Sequence, residues 1–145
     1  MIGSGVGISF RSEFFNPETP VRIPVQGFSN GSRLRLVLIP TQDPRFHINL
    51  VSPGDIVLHF NSRFDEGAIV NNSTQGGHWQ AEDRFPQPFQ QNRIYTLEFI
   101  SDGGIIHIHI NGNQFADFVE RAPSHGVHLI EIDGGVHVHS AHVTH

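Results

Sequence analysis

Asp102-Gly-Gly-Ile-Ile-His-Ile-His-Ile-Asn-Gly-Asn113 is the stretch that decides the fold. Ile106, Ile108 and Ile110 alternate with His107 and His109, and the turn formers Asp102-Gly103-Gly104 and Asn111-Gly112-Asn113 close the run at both ends. A period of two puts the isoleucines on one face of a strand and the histidines on the other. The same alternation recurs outward in both directions, at Leu34, Leu36 and Leu38, at Phe46, Ile48 and Leu50, at Ile56, Leu58 and Phe60, and at Val136 and Val138. Ser29-Asn30-Gly31, Asp43-Pro44, Pro53-Gly54-Asp55, Glu66-Gly67 and Asp133-Gly134-Gly135 separate these runs, and no helical stripe of ten residues appears. The expected strands are 6–10, 21–27, 33–39, 46–51, 56–62, 68–73, 78–84, 94–100, 105–111, 114–118, 127–132 and 136–143. The two prolines of Phe85-Pro-Gln-Pro-Phe89 remove donors that a central strand needs, so that segment is expected to be a surface connection. Strands apolar on one face must cover each other, which predicts an all-β sandwich of two antiparallel sheets in one domain over residues 1–145.

The composition narrows the chemistry. The 145 residues contain no cysteine, which excludes a disulfide scaffold, thiolate metal sites and a cysteine nucleophile. Nine Lys plus Arg against 14 Asp plus Glu give a net charge of −5, with no basic run to follow a phosphate backbone, so no nucleic-acid partner is expected. No run of apolar residues is long enough to insert in a membrane, and Met1–Phe15 shows neither a basic leader nor a cleavage site, which predicts cytoplasmic synthesis. Histidine is abundant, with 11 residues, eight of them from His107 onward.

Ile56-Val-Leu-His-Phe-Asn-Ser-Arg63 carries the first candidate site. With Ile56, Leu58 and Phe60 directed to the core, His59, Asn61 and Arg63 stand side by side on the open face. A wet face accepts any polar residue, so the pattern is also that of a solvated strand. The types are nevertheless versatile: two ring nitrogens, an amide that donates and accepts, and a rigid guanidinium fork suit a ligand with adjacent hydroxyls. Trp79-Gln-Ala-Glu-Asp-Arg84 adds the only tryptophan, with Glu82 and Arg84 on one parity and Trp79 on the other, so a turn or bulge is needed to bring the ring beside them. A lone Trp commonly fills a core. Gly76, Gly77 and the polar residues after Trp79 instead place it at the core's edge, where an aromatic plate flanked by Arg and Glu suits the C–H face of a sugar.

His59-Phe-Asn-Ser-Arg63, Val70-Asn-Asn72 and Trp79-Gln-Ala-Glu82-Asp-Arg84 together resemble the carbohydrate-recognition signature of the galectins, β-galactoside-binding lectins. The resemblance runs from about Pro20 through Phe46–Leu50 to Leu129–Gly134. It implies a jelly-roll-like sandwich of five- and six-stranded sheets, a non-enzymatic lectin for lactose and N-acetyllactosamine-type glycans of glycoproteins or glycolipids, and no cofactor. By similarity, His59, Asn61 and Arg63 bond the axial 4-hydroxyl and ring oxygen of galactose, and Asn72 and Glu82 hold the 6-hydroxyl. Trp79 stacks on the apolar face, and Arg63, Glu82 and Arg84 reach the 3-hydroxyl of the next sugar. Ser62 stands where the family commonly has proline, which removes a restraint on φ but keeps the three binding side chains. The connection from Arg63 to Asn72 is short, resembling a subset of the family with a trimmed loop, and implies a wider groove beside galactose. Its acids Asp65 and Glu66 either orient Arg63 and Arg84 or lie solvated.

The resemblance also implies export without a signal peptide to the extracellular space, and a homodimer joined through terminal strands near Ile8–Phe15 and Val136–Val143. Glu82 and Asp83 are adjacent and point to opposite faces of a strand, which does not make a facing pair of catalytic carboxyls. The alternative from another class is a metal-dependent cupin-like enzyme using His107-Ile-His109 and His137-Val-His139 with His142. Against it, Asn113 and Gln114 stand where a further acidic ligand is wanted, and the group with His145 otherwise reads as an exposed strand face with weak pH or metal sensitivity.

Overall fold

In the computed structural model, described for residues 11–145, the chain forms 14 strands in order. These are β1 (Arg11–Phe15), β2 (Val21–Pro24), β3 (Arg33–Pro40), β4 (Arg45–Ser52), β5 (Asp55–Arg63), β6 (Ala68–Asn72), β7 (Thr74–Gln75), β8 (His78–Trp79), β9 (Asp83–Pro86), β10 (Tyr95–Asp102), β11 (Ile105–Ile110), β12 (Asn113–Val119), β13 (Leu129–Gly134) and β14 (Val136–Thr144). Single 3-10 turns occupy Phe64–Glu66 and Ser124–Gly126. The expected strand 6–10 lies outside the described residues.

Two six-stranded antiparallel sheets face each other. The first has the order β1-β14-β3-β10-β11-β12 and the second β2-β13-β4-β5-β6-β9, with β7-β8 as a separate ribbon. The sandwich expected from alternation is therefore present, with a six-plus-six division of strands where five plus six was expected. Between the layers the alternating residues meet as foreseen: Leu34, Leu36 and Leu38, Phe46, Ile48 and Leu50, and Ile106 and Ile108 are almost wholly buried. Phe60 sits at the centre, edge-on to Phe99 at 5.4 Å and to Phe89 at 6.4 Å between ring centroids.

Three local expectations are corrected. First, Ile56 does not take the core position assigned to it. The β4–β5 ladder slips between Leu50/Val51, so that Val51 faces Ile56 but Leu50 faces Leu58. The extra residue of this bulge, Val57, is fully buried beside Leu58, while Ile56 is only half-buried. Second, 78–84 is not one strand: β8 ends at Trp79 and β9 begins at Asp83. Third, Phe85 and Pro86 belong to β9, an edge strand where a missing donor is tolerated, and Phe89 is buried in the core. Ser62 helps to hold this segment inward, because its hydroxyl accepts a hydrogen bond from Gln87 Nε2 at 2.9 Å, and Gln87 Oε1 accepts from the Phe89 amide at 3.1 Å.

The two terminal strands named as contact elements pair within the chain, from Arg11 opposite Thr144 to Phe15 opposite Ser140. Strand β14 is thus enclosed between β1 and β3. The histidine pairs of β11 and β14 face outward from the first sheet with β3 and β10 between them, three strand spacings or about 14 Å apart, so they do not converge on one ion. His107 instead lies between Asp117 (Nδ1 to Oδ1, 2.6 Å) and Asp102 (Nε2 to Oδ2, 2.9 Å). Among the described residues no cluster of three or more His, Asp or Glu is arranged to hold a metal ion, and nothing supports the cupin-like alternative.

Candidate functional site

The bulge at Val57 sets the register that builds the site. Beyond it, His59 lies between Asn49 of β4 and Asn72 of β6 on the open face of the second sheet. The next row is His47, Asn61, Val70 and Arg84, and the third is Arg45, Arg63 and Ala68. Period-two pleating turns all of these side chains to the same face. They border a groove of about 600 Å3 lined by Arg45, His47, His59, Asn61, Arg63, Val70, Asn72, Trp79, Gln80 and Glu82. Six of the seven residues singled out in the sequence, His59, Asn61, Arg63, Asn72, Trp79 and Glu82, are thus brought together. The seventh, Arg84, stands at the rim, where its Nε donates to Glu82 Oε1 at 2.9 Å.

Trp79 reaches the groove through the β7–β8 ribbon, whose turn is Gly76-Gly77 with φ of 58° and 79°. Two consecutive positive φ values favour glycine, which has no Cβ to clash. Asp55 secures this turn, its carboxylate accepting from Gly77 N (2.9 Å), Gly76 N (3.1 Å) and the Thr74 hydroxyl (2.8 Å). Those donors hold the Asp55 carboxyl below its ordinary pKa, the Gly77 amide most strongly. The break after β8 supplies the parity change that the sequence required: Gln80 N donates to Ser73 O at 3.0 Å, and Glu82 follows on the groove side. The indole is 54% exposed, with its ring centroid 4.8 Å from that of His59. A large apolar plate therefore faces solvent beside a polar floor.

Hydrogen bonds fix what each floor residue can still offer. His59 Nδ1 lies 2.6 Å from Asn49 Oδ1, an acceptor, so Nδ1 carries the proton and Nε2 keeps its lone pair. Burial depresses the His59 pKa to about 4, helped by repulsion from His47 and Arg63. The imidazole is neutral at pH 7. Asn61 donates from Nδ2 to Phe46 O at 3.1 Å and accepts from Arg63 Nε at 2.6 Å, which leaves one Nδ2 hydrogen. Asn72 likewise donates to Gln80 O at 3.0 Å and accepts at Oδ1 from Ser73 N and Arg121.

Glu66 was placed by sequence only as a possible partner of Arg63 and Arg84. It bonds both, Arg63 Nη1 at 3.2 Å and Arg84 Nη1 at 2.8 Å, and also takes Arg45 Nη2 at 2.8 Å. Arg84 and Arg63 hold its carboxyl below the usual range. Asp65 does not orient either of those arginines through a hydrogen bond; it pairs with Arg45, whose Nη2 lies 2.9 Å from Oδ2. Glu82 lines the groove while Asp83, half exposed on the edge strand β9, faces Arg121 at 3.7 Å, so the two carboxyls do not oppose each other. The arrangement offers fixed donors, one neutral imidazole acceptor, carboxylates at one end and an aromatic wall. It suits binding of a polyol with one apolar face.

Sequence reasoning missed Arg45, His47, Asn49, Asp55 and Arg121. The first three alternate with Phe46, Ile48 and Leu50, so the signal was the same periodicity read on its wet side. Asp55 is the first residue of β5, and Arg121 lies two residues beyond β12; at these strand ends the alternation carries no signal.

Comparison with known proteins gives the family and the fold. The family model described as galactoside-binding lectin matches residues 19–143. Human Galectin-7 is 34% identical over 125 residues, covering 81% of this chain and 91% of its own, and Mus musculus Galectin-7 is 32% identical over 124 residues with the same shares. The crystal structure of the Caenorhabditis elegans galectin LEC-6 is 78% identical, covers 96% of this chain and 100% of its own, and superposes with a TM-score of 0.91. Sheep Galectin-11, at 18% identity, 86% of this chain, 97% of its own and a TM-score of 0.79, shares the fold.

Proposed function

The chain belongs to the galectins, β-galactoside-binding lectins that bind sugars rather than transform them, and on that premise we propose that the groove seats a terminal β-galactose with Trp79 against its apolar face. The observation that carries this reading is the half-exposed indole set across from the row His59, Asn61 and Arg63. An axial 4-hydroxyl points down from the ring into that row. It donates to His59 Nε2 and accepts from Arg63 and the free Asn61 hydrogen, a set that an equatorial hydroxyl, directed along the ring edge, does not reach. The 6-hydroxyl accepts from Asn72 and donates to Glu82. The next sugar, glucose or N-acetylglucosamine, lies toward Arg63, Glu82 and Arg84, with the short Phe64–Gly67 turn leaving that side open.

A glycan array comparing the wild type with Trp79→Ala tests the assignment. Galactosides such as lactose and N-acetyllactosamine dominate the first and lose about tenfold or more in the second, because a buried aromatic contact contributes about 1.5–3 kcal/mol. Retention of the signal removes Trp79 from the binding role. Galactose release from lactose by a clean preparation contradicts a binding-only protein.

A homodimer with two outward grooves is the assembly we propose. Its support is that, among the described residues, β1 forms the edge of the first sheet and carries Phe15 72% exposed. Sedimentation over a concentration range distinguishes monomer from dimer.

A further inference from the structure

Asn72 is held from behind by the loop of the opposite sheet. Arg121, two residues past β12, donates from Nη1 to Asn72 Oδ1 at 3.1 Å and to Ser73 Oγ at 3.2 Å. Its Nη2 stands 3.7 Å from Asp83 Oδ2, and its Cζ lies 5.1 Å from the centre of the Phe118 ring. The guanidinium is thus fixed by a carboxylate and an aromatic face before it meets the amide. It is not among the residues lining the groove.

We propose that Arg121 is a positioning residue for sugar recognition, making Asn72 a dedicated donor toward the galactose 6-hydroxyl; this rests on the galactose reading of the groove. An amide oxygen has two lone pairs, and the Ser73 amide at 2.8 Å and Arg121 take both. The nitrogen has two hydrogens, of which the Gln80 carbonyl takes one at 3.0 Å. One N–H remains. A turned amide sets its NH2 group against the guanidinium and the Ser73 N–H, and its oxygen against the Gln80 carbonyl. Donation from a cation to Oδ1 also draws electron density from the amide and strengthens the remaining N–H as a donor. The 6-hydroxyl then has one polarity available, accepting from Asn72 and donating to Glu82.

The test measures calorimetric affinities of the full chain for lactose and for its 6′-deoxy analogue, in the wild type, Arg121→Met and Arg121→Lys. Methionine keeps an apolar stem over Phe118 but has no donor, and lysine keeps the charge on a single point. The wild type is expected to prefer lactose. Arg121→Met weakens lactose about three- to tenfold and leaves the deoxy analogue unchanged, so the preference shrinks by the same factor. Arg121→Lys recovers part of it. Equal weakening of both ligands signifies a structural role and overturns the proposal, as does an unchanged preference. Should Arg121→Met fail to fold by circular dichroism, Arg121→Lys decides on the same criterion. A wild type that binds no lactose sinks the galactose reading and this inference with it, whereas a wild type and Arg121→Met with the same preference sink the role of Arg121 alone.

Discussion

Lactose binding should be insensitive to pH across the range in which an ordinary histidine titrates. His59 is the perturbed group: burial, His47 and Arg63 lower its pKa from 6.5 to about 4, and Asn49 Oδ1 at 2.6 Å fixes the proton on Nδ1. Protonation turns Nε2 from acceptor to donor and sets a third cationic group beside Arg63 and Arg45. At pH 5.5 a histidine with the ordinary value is about ten-elevenths charged and affinity falls about 11-fold, whereas with a value near 4 only about 3% is charged and affinity is unchanged. Calorimetric titration of lactose from pH 8 to 4, with the His59 ring proton followed by NMR, checks this. The expected affinity is flat to about pH 5 and declines toward pH 4. Asn49→Asp supplies a carboxylate to Nδ1 and moves that midpoint up by about one to three pH units. A wild-type midpoint near 6.5 refutes the reasoning. The same group affects stability: the unfolded chain binds the proton at 6.5 and the folded chain only at about 4, so stability is full above 6.5 and falls between those values by on the order of 3 kcal/mol.

Other perturbations have separate signs. Asp55→Ala leaves Gly76, Gly77 and Thr74 without their shared acceptor; lactose affinity should fall about three- to tenfold and Trp79 fluorescence anisotropy should decrease, and no change in either dismisses the anchoring role. At Gly134, with φ of 97°, an added Cβ stands 2.6 Å from Arg45 O and 2.8 Å from Phe46 Cα, both backbone atoms. Gly134→Ala should cost about 2–4 kcal/mol, read as a lower midpoint of chemical denaturation. His107 behaves oppositely to His59, since Asp117 and Asp102 raise its pKa. Its stabilising contribution is complete below the ordinary histidine value and disappears as pH rises through the raised one, so thermal melts of wild type and His107→Gln should converge at alkaline pH.

The paired layers were legible because one-sided apolar alternation is a local pattern with a single physical solution, burial against another such face. Leu34, Leu36 and Leu38 are buried for that reason, and the inverse parity identifies His59, Asn61 and Arg63. The local pattern fails where backbone geometry changes its phase. Pro53-Gly54 alone pairs Ser52 with Asp55 and, continued without a bulge, brings Leu58 opposite Asn49; the extra residue Val57 brings His59 there instead. Likewise, Phe85 and Phe89 are apolar residues among prolines, and only tertiary neighbours draw them in: Phe85 pairs at the sheet edge with Ile69 of β6, and the Phe89 ring packs against Phe46 and Phe60.

The sequence by itself determined an all-β sandwich and the types of side chain that face the groove, because side-chain direction alternates within one strand and apolar faces must be covered. Tertiary structure alone decided how those groups are oriented and charged. The neutral tautomer of His59 depends on Asn49 of the neighbouring strand, the place of Trp79 on the carboxylate of Asp55, and the occupied amide oxygen of Asn72 on Arg121, 49 residues further along the chain. Hydrogen bonds and desolvation act through distances in space, and those distances exist only once the two sheets have closed.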